Sequence, residues 1–272
     1  MARLMRCDLH IHTTASDGSK QTHELIADAT TAGLDVIAIT DHDTLDGLSD
    51  INHSLPLKII NGIELSIDVP GNEVHILGLG IDPRSPAWTA DGLIGKLKSA
   101  RINRISEICS QLTKLGYPLV AAEVFCRVPA NTAIGRRHIA EALLEKQLIP
   151  TIAYAFEKLI GITGPAYVKR YKLTIEQAVA VILQAGGTPI MAHPALCFDN
   201  GVVNMAIEAG VRGLEVYYPR HSKAQTEYYL SLCKKHNLVC SGGSDCHGKP
   251  DRFPNRVGTF YCQLPHKILE WL

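Results

Sequence analysis

Two runs limit the folds open to this chain: VIAIT at 36–40 and TPIMA at 188–192 are almost continuously apolar. A strand wetted on one face alternates apolar and polar residues. An unbroken apolar run of this length fits a strand buried on both faces, as in a parallel sheet covered by helices. Further strands are predicted at Leu4–Leu9, Lys58–Asn61, Val74–Leu79, Gly213–Val216 and Leu238–Ser241. Helical patterns lie between them. Thr22–Ala32 is one, with Gly33 as its stop, and Ser222–His236 is another. In Thr174–Ala185, Thr174 and Gln177 have the spacing of a capping box. Ala178, Val179, Val181 and Ile182 form its apolar face, and Gly186-Gly187 ends it. Strand-helix alternation predicts an α/β protein, either a barrel or an open sheet.

The middle of the chain breaks this rhythm. From about 85 to 165 no strong strand pattern occurs. Leu93, Leu97, Ile102, Ile105, Ile108, Leu112 and Leu115 recur at helical spacing, and further helices are predicted over Arg137–Lys146 and Ile152–Leu159. The expected organisation is a helical insertion, residues 85–165, covering the active-site rim of a barrel domain built from 1–84 and 166–272. Hydrophobic residues make up 46% of the 272, enough for a substantial core. Lys+Arg and Asp+Glu balance at 27 each, which argues against non-specific binding to nucleic acid or to an anionic membrane. The eight cysteines form no CxxC pair, the opening MARLMRCDLHIH is not a signal peptide, and no apolar run is long enough to cross a bilayer. These features predict a reduced, cytoplasmic protein with free thiols.

The histidines carry the chemistry. In Asp8-Leu9-His10-Ile11-His12, strand alternation puts His10 and His12 on one face, where two imidazoles can grip one ion. VIAIT runs straight into Asp41-His42-Asp43, the next strand leads to Gly62-Ile63-Glu64, and His75 lies in VHILGL. TPIMA ends in His193-Pro194, and LVCSGGS ends in Asp245-Cys246-His247. Any one of these has an ordinary explanation as a core histidine or a helix cap. Their recurrence at six strand ends does not, because in a parallel barrel the C-terminal strand ends converge on one rim. Cys246 lies between two ligand-type residues but faces the opposite side of an extended segment, so it reads as core filler. Asp8 and Asp43 read as groups that orient imidazoles. His23, His53, His236 and His266 belong to no motif and read as surface or structural.

The ordered pattern DLHIHT…SDG…TDHD…GIE…HILG…AHP…SDCH resembles the PHP (polymerase and histidinol phosphatase) superfamily across nearly the whole chain. The segments GRRHIAEAL, GPAYVKRYKLTIEQAV and GLEVYYPRHS resemble a bacterial subfamily that includes a nucleoside 3',5'-bisphosphate phosphatase and 5'-to-3' exoribonucleases. The resemblance implies a distorted (β/α)7 barrel with a trinuclear metal centre. By motif, a first ion takes His10, His12, Glu64 and Asp245. A second takes Glu64 as a bridge, with His75 and His193, and a third takes Asp17, His42 and His247. Mixed imidazole and carboxylate ligands suit manganese first, with iron or zinc as alternatives. Glu64, His193, Asp245 and His247 are the expected catalytic residues, acting on a phosphate ester attacked by a metal-bridging hydroxide.

The phosphate also needs cations from the protein. Arg136 is the first expected, because a planar guanidinium holds phosphate oxygens through two parallel bonds. His138 lies beside it, Arg220 and His221 follow the strand GLEVYY, and Arg170 and Lys172 come next; against each stands the ordinary reading of a solvated side chain. Tyr217 and Tyr218 read either as stacking groups for a nucleobase or as barrel filler. The leading expectation is removal of the 3'-phosphate from a nucleoside 3',5'-bisphosphate, so the partner is a small nucleotide or short oligonucleotide. Alternatives are 5'-3' exoribonuclease action on short RNA, histidinol-phosphate phosphatase, C–N bond hydrolysis, and a non-catalytic metal-binding module. The complete ligand set argues against the last.

Overall fold

The computed structural model of the protein describes residues 4–49, 51, 56–70, 72–89, 92–128, 134–169, 171, 173–197, 201–249, 254 and 256–271. Eight strands form one sheet: β1 (Leu4–Ile11), β2 (Val36–Ile39), β3 (Lys58–Val69), β4 (Asn72–Leu79), β5 (Thr188–Met191), β6 (Gly213–Tyr217), β7 (Val239–Gly242) and β8 (Cys262–Pro265). Their order is β7-β6-β5-β4-β3-β2-β1-β8. β1, β2 and β3 are mutually parallel, as are β5, β6 and β7. β4 runs antiparallel to both of its neighbours.

The sheet curls into a nearly closed barrel whose seam lies between β1 and β7. At one end of the seam the Asp245 amide donates to the His10 carbonyl at 2.8 Å, and the His12 amide donates to the Cys246 carbonyl at 3.0 Å. At the other end β8 pairs antiparallel with Leu4–Cys7, and the Cys262 thiol donates to carbonyls of Cys7 and Gly242. The short β8 thus wedges the part of the seam that direct pairing leaves open, and no long strand edge stays unpaired there. The seven-strand barrel read from the sequence is therefore present with one strand reversed and an eighth added. β8 escaped notice because it has four residues, ends in proline and is buried on one side only.

Side-chain alternation divides the barrel into a floor and a rim. Met5, Cys7, Leu9, Val36, Ala38, Ile60, Leu77, Leu79, Ile190 and Ala192 pack together as the interior floor. On β3 and β4 the alternation that buries Ile60, Leu77 and Leu79 inside also turns Glu64 and His75 inward, while Ile63, Leu65, Val74 and Ile76 face a helix-covered outer core. β1 needs a correction of phase. Asp8 pairs with Ile37 but Ile11 pairs with Ile39, so β1 carries one extra residue at this point. This bulge lets Leu9 stay in the floor while Ile11 joins Leu25 and Ala29 outside. His10 and His12 are thereby buried together above the floor, both at 0% exposure.

The helices are α1 (Thr22–Thr31), α2 (Leu93–Lys114), α3 (Ala121–Phe125), α4 (Arg136–Glu145), α5 (Ile152–Ala155), α6 (Ile175–Gln184), α7 (Gly201–Glu208) and α8 (Lys223–His236). α6 begins as its capping box requires, with the Gln177 amide donating to Thr174 Oγ1 and the Thr174 amide to Gln177 Oε1. Ser222 and Gln225 do the same for α8. α5 is shorter than the sequence pattern predicts, because the chain widens into a π-helical turn over Phe156–Ile160. α3 and α7 were not read from the sequence. Ile105, Ile108 and Leu112 of α2 pack with Val124, Ile139, Leu143 and Ala155 into a separate core, while Leu97 packs against the barrel. Ile102 and Leu115, read as part of the same stripe, are exposed. No helix among the described residues is long and apolar enough to cross a membrane.

The seam makes one glycine indispensable. A Cβ on Gly243 would lie 2.4 Å from His10 Cβ and 2.5 Å from its backbone nitrogen, and rotating a side chain cannot relieve the second clash. Gly243→Ala should destabilise the fold by about 1–3 kcal/mol, the usual range for overpacking. Urea unfolding measures this directly, and an unchanged midpoint would contradict the seam as described.

Candidate metal centre

All nine side chains read from the sequence as metal ligands meet at one end of the barrel. Glu64 is their focus. Its Oε2 lies 3.3 Å from His10 Nε2, 3.2 Å from His12 Nε2 and 3.0 Å from His42 Nδ1. Its Oε1 lies 2.8 Å from His75 Nδ1 and 3.1 Å from His193 Nε2. Asp245 Oδ1 lies 3.6 Å from His10 Nε2 and 3.2 Å from His12 Nε2. Asp17 Oδ1 lies 3.1 Å from His247 Nε2 and 3.8 Å from His12 Nδ1. Among the described residues four groups have ligand atoms within 4.8 Å of one another: His12/Asp17/His42/His247, His10/His12/Asp245, His10/Glu64/His193 and His42/Glu64/His75.

The backbone is bent to achieve this. Asp43, His193 and Asp245 are non-glycine residues with positive φ, at 53°, 27° and 53°. Each follows a strand and turns the chain sharply where a ligand must be presented. Such conformations are held only where surrounding contacts over-determine them. β4 contributes differently: being reversed, it brings His75 to the rim from its N-terminal half.

The donor set fits divalent cations. His12 Nδ1, Asp17 Oδ1, His42 Nδ1, Glu64 Oε2, His75 Nε2 and His247 Nε2 are buried without a hydrogen bond. Each unsatisfied buried polar group costs about 1–3 kcal/mol. Several pairs approach within 3.3 Å yet lack hydrogen-bond geometry, as expected of lone pairs aimed at a shared ion. Imidazole nitrogen mixed with carboxylate oxygen is the donor chemistry of manganese, iron or zinc.

The electrostatics agree. Burial acts to raise the Glu64 carboxyl, but His42, His75 and His10 outweigh it and hold the group well below the usual carboxylate range. Burial likewise acts to depress His10 and His12. Glu215, Glu64 and Asp245 outweigh it at His10, and Asp245 and Glu64 at His12, so His10 is raised well above its ordinary value and His12 to about 9. Coordination needs neutral imidazoles, so an ion bound there takes the proton's place. For His42, burial prevails and pushes the imidazole down to about 3.

The groups that hold the ligands were only partly anticipated. Glu215, buried within β6, was not singled out. Its Oε1 lies 3.0 Å from His10 Nδ1, and its Oε2 accepts from the His193 amide at 2.7 Å. A carboxylate on Nδ1–H directs the Nε2 lone pair of His10 toward Glu64 and Asp245. The available signal was a glutamate on the inward side of an otherwise apolar strand. The Tyr218 hydroxyl donates to Asp245 Oδ2 at 3.0 Å, which makes this buried tyrosine an orienting group and not a platform for a base. Asp8 and Asp43 do not orient imidazoles. Asp8 Oδ1 accepts from the Ser244 amide, and Asp43 Oδ1 accepts from the Ser66 amide while its other oxygen pairs with Arg101. Asp41 binds Thr13 and Ser16, fixing the loop that presents Asp17. Cys246 packs outside with Ile11 and Leu25.

The expected substrate contacts divide. Arg136 donates to the Ile160 carbonyl at 3.2 Å, and its guanidinium lies 5.8 Å from the ring centres of both Phe156 and Tyr167. His138 Nδ1 accepts from the Gly135 amide, and burial pushes its imidazole down, with the charges of Glu141 and Asp17 opposing and those of Lys249 and Arg101 adding to the effect. His221 sits between Tyr218 and Tyr229, with Nδ1 3.0 Å from the Val216 carbonyl and Nε2 buried without a partner. Arg220 is exposed. Arg170, Lys172 and His53 lie outside the described residues. His23, His236 and His266 are exposed.

The chain belongs to the PHP domain family, whose pattern matches residues 8–179, more than half of the sequence. It is a metal-dependent phosphoesterase. It is 31% identical to a phosphoribosyl 1,2-cyclic phosphate 1,2-diphosphodiesterase from Eggerthella lenta, over 91% of this chain and 96% of that protein. It is 30% identical to a 3',5'-nucleoside bisphosphate phosphatase from Chromobacterium violaceum, over 88% and 86%. It is 33% identical to the 5'-3' exoribonuclease Rnm of Escherichia coli K12, over 88% and 84%. A solved structure from Bifidobacterium adolescentis, described as a candidate metal-dependent phosphoesterase, superposes with a TM-score of 0.84 at 26% identity, covering 98% of this chain and 95% of that one.

Removing the carboxylate behind His10 tests how the centre is held. Glu215→Gln should weaken metal affinity or activity about 10–100-fold, the usual effect of losing such a partner. Equilibrium dialysis against manganese reads the affinity, and binding as tight as in the unaltered chain would show that Glu215 does not organise His10.

Proposed function

We propose that the nine ligands hold three divalent ions and that the enzyme removes a phosphate from nucleotide phosphate esters, foremost the 3'-phosphate of a nucleoside 3',5'-bisphosphate. The first ion is assigned to His10, His12, Glu64 and Asp245, the second to Glu64, His75 and His193, and the third to Asp17, His42 and His247. The observation that carries this reading is the position of Glu64, whose two oxygens face two different sets of imidazoles. Held by these side chains, divalent ions would acidify water and neutralise phosphoryl oxygens. The residues of the chain supply the rest. Glu215 and Tyr218 fix the directions of His10 and Asp245. Burial of the site strengthens every charge interaction in it. Manganese is the preferred ion, and the cytoplasm the expected compartment.

The nucleotide assignment draws support from the likeness to the bisphosphate phosphatase over most of both chains. Exoribonuclease action on short 5'-phosphorylated RNA is the second reading, favoured by a similar likeness to Rnm. The likeness to the cyclic phosphodiesterase adds a ribose cyclic phosphate to the substrates worth testing. The charge of Asp17 reaches the partly buried imidazole of His138, which supports a cover that contacts substrate over a barrel that holds metal.

Phosphate release from adenosine 3',5'-bisphosphate with manganese, beside histidinol phosphate, a ribose 1,2-cyclic phosphate and a short 5'-phosphorylated RNA, tests the proposal. The bisphosphate should be the preferred substrate, and Glu64→Gln should lose most of the activity on it. Preference for histidinol phosphate would overturn the nucleotide assignment, and full activity of Glu64→Gln would overturn the ligand map.

A further inference from the structure

Two ion pairs among the described residues tie the helices over the barrel to it, and both end beside ligands of the same group. Arg101, on α2, pairs with Asp43, the residue after His42. Its other terminal nitrogen donates to the Ile134 carbonyl at 3.3 Å, just ahead of α4. Asp43 is rigidly placed: its amide donates to the Glu64 carbonyl at 3.0 Å, and it accepts from Ser66. Glu141 of α4 pairs with Lys249 at 3.2 Å, two residues beyond His247. Glu141 also pairs with Arg137 at 2.9 Å.

The segment bearing His247 and Lys249 is in turn stitched to the loop that bears Asp17. The Ser19 amide donates to the His247 carbonyl at 2.9 Å, and Ser19 Oγ donates to the Gly248 carbonyl at 2.8 Å. Gly248 has φ +66°, a left-handed backbone that favours glycine, and a Cβ there would lie 2.6 Å from Ser19 Oγ, so a side chain would be strained and would displace this hydroxyl. His42 and His247 are therefore on the backbone segments that receive the ties from α2 and α4, and Asp17, the remaining ligand assigned to the third ion, is joined to the His247 segment through Ser19.

We propose that Arg101 and Lys249 are positioning residues that latch the helical cover to the Asp17–His42–His247 subsite, so that filling this subsite and seating the cover are coupled. The inference rests on the ligand map above. Coupling of this kind is reciprocal: an ion that favours the seated cover is itself bound more tightly when the cover is seated. The other subsites are held within the barrel, by Glu215 behind His10 and by the β3–β4 pairing behind Glu64 and His75.

Amide hydrogen exchange of the full chain, with and without manganese, tests this together with the manganese content of each variant. In the unaltered protein, manganese should slow exchange in α2 and α4. Asp17→Asn should remove about one ion in three and abolish that slowing. Arg101→Gln and Lys249→Gln should each weaken, about tenfold, binding of the ion that Asp17→Asn removes while leaving the other two bound, and Arg101→Lys should recover most of the loss. If Asp17→Asn leaves the ion content unchanged, the ligand map fails. If it removes an ion while exchange in α2 and α4 stays indifferent to manganese, the map stands and the latch is wrong.

Discussion

A buried carboxylate surrounded by imidazoles is the constraint on which the rest of this structure depends. Glu64 is 1% exposed, and its two oxygens lie within 3.3 Å of nitrogens from five histidines. Such a cluster is expensive in a protein interior unless charges are matched and lone pairs have partners. Six buried ligand atoms without hydrogen bonds show that side chains alone do not complete the matching. The site is therefore organised for cations, and its rigidity comes from groups just behind the ligands. Glu215 ties His10 to the backbone of His193, and Tyr218 holds Asp245.

The barrel's geometry serves the same requirement. A floor of small and branched apolar side chains supports a polar rim, and the division runs through each strand by simple alternation. Where alternation fails, the chain changes phase. The extra residue in β1 keeps Leu9 in the floor and also buries His10 and His12. The positive φ values at Asp43, His193 and Asp245 present residues that a regular strand would turn elsewhere. Closure between β1 and the segment after β7 brings Asp245 against His10 through the backbone hydrogen bonds of Asp245 to His10 and of His12 to Cys246.

The sequence made the site more legible than the fold. His42, His193, Asp245 and His247 stand out because polar residues just past the ends of apolar strands are hard to explain by packing, whereas Glu64, expected at a strand end, lies in the middle of β3 and faces inward by alternation. The reversal of β4 left no such mark: a strand buried on both faces reads alike in either direction. β8 is short and half exposed, so nothing separates it from a loop until β1 is placed beside it. Glu215 was visible as an acid in an apolar strand, but its role depends on reaching His10, 205 residues earlier. Arg101 and Lys249 carried no local signal, because an arginine on a helix and a lysine in a loop acquire meaning only from the partners that folding supplies. Arg136, chosen for its chemistry, is held by Ile160 and flanked by two rings.

Anomalous diffraction from crystals of the manganese-loaded protein tests the central claim most directly, because it locates each ion against its ligands. Three peaks are predicted, two of them sharing Glu64 and the third bounded by Asp17, His42 and His247. Ions that leave Glu64 without a metal bond, or that bind away from these nine side chains, would contradict the account.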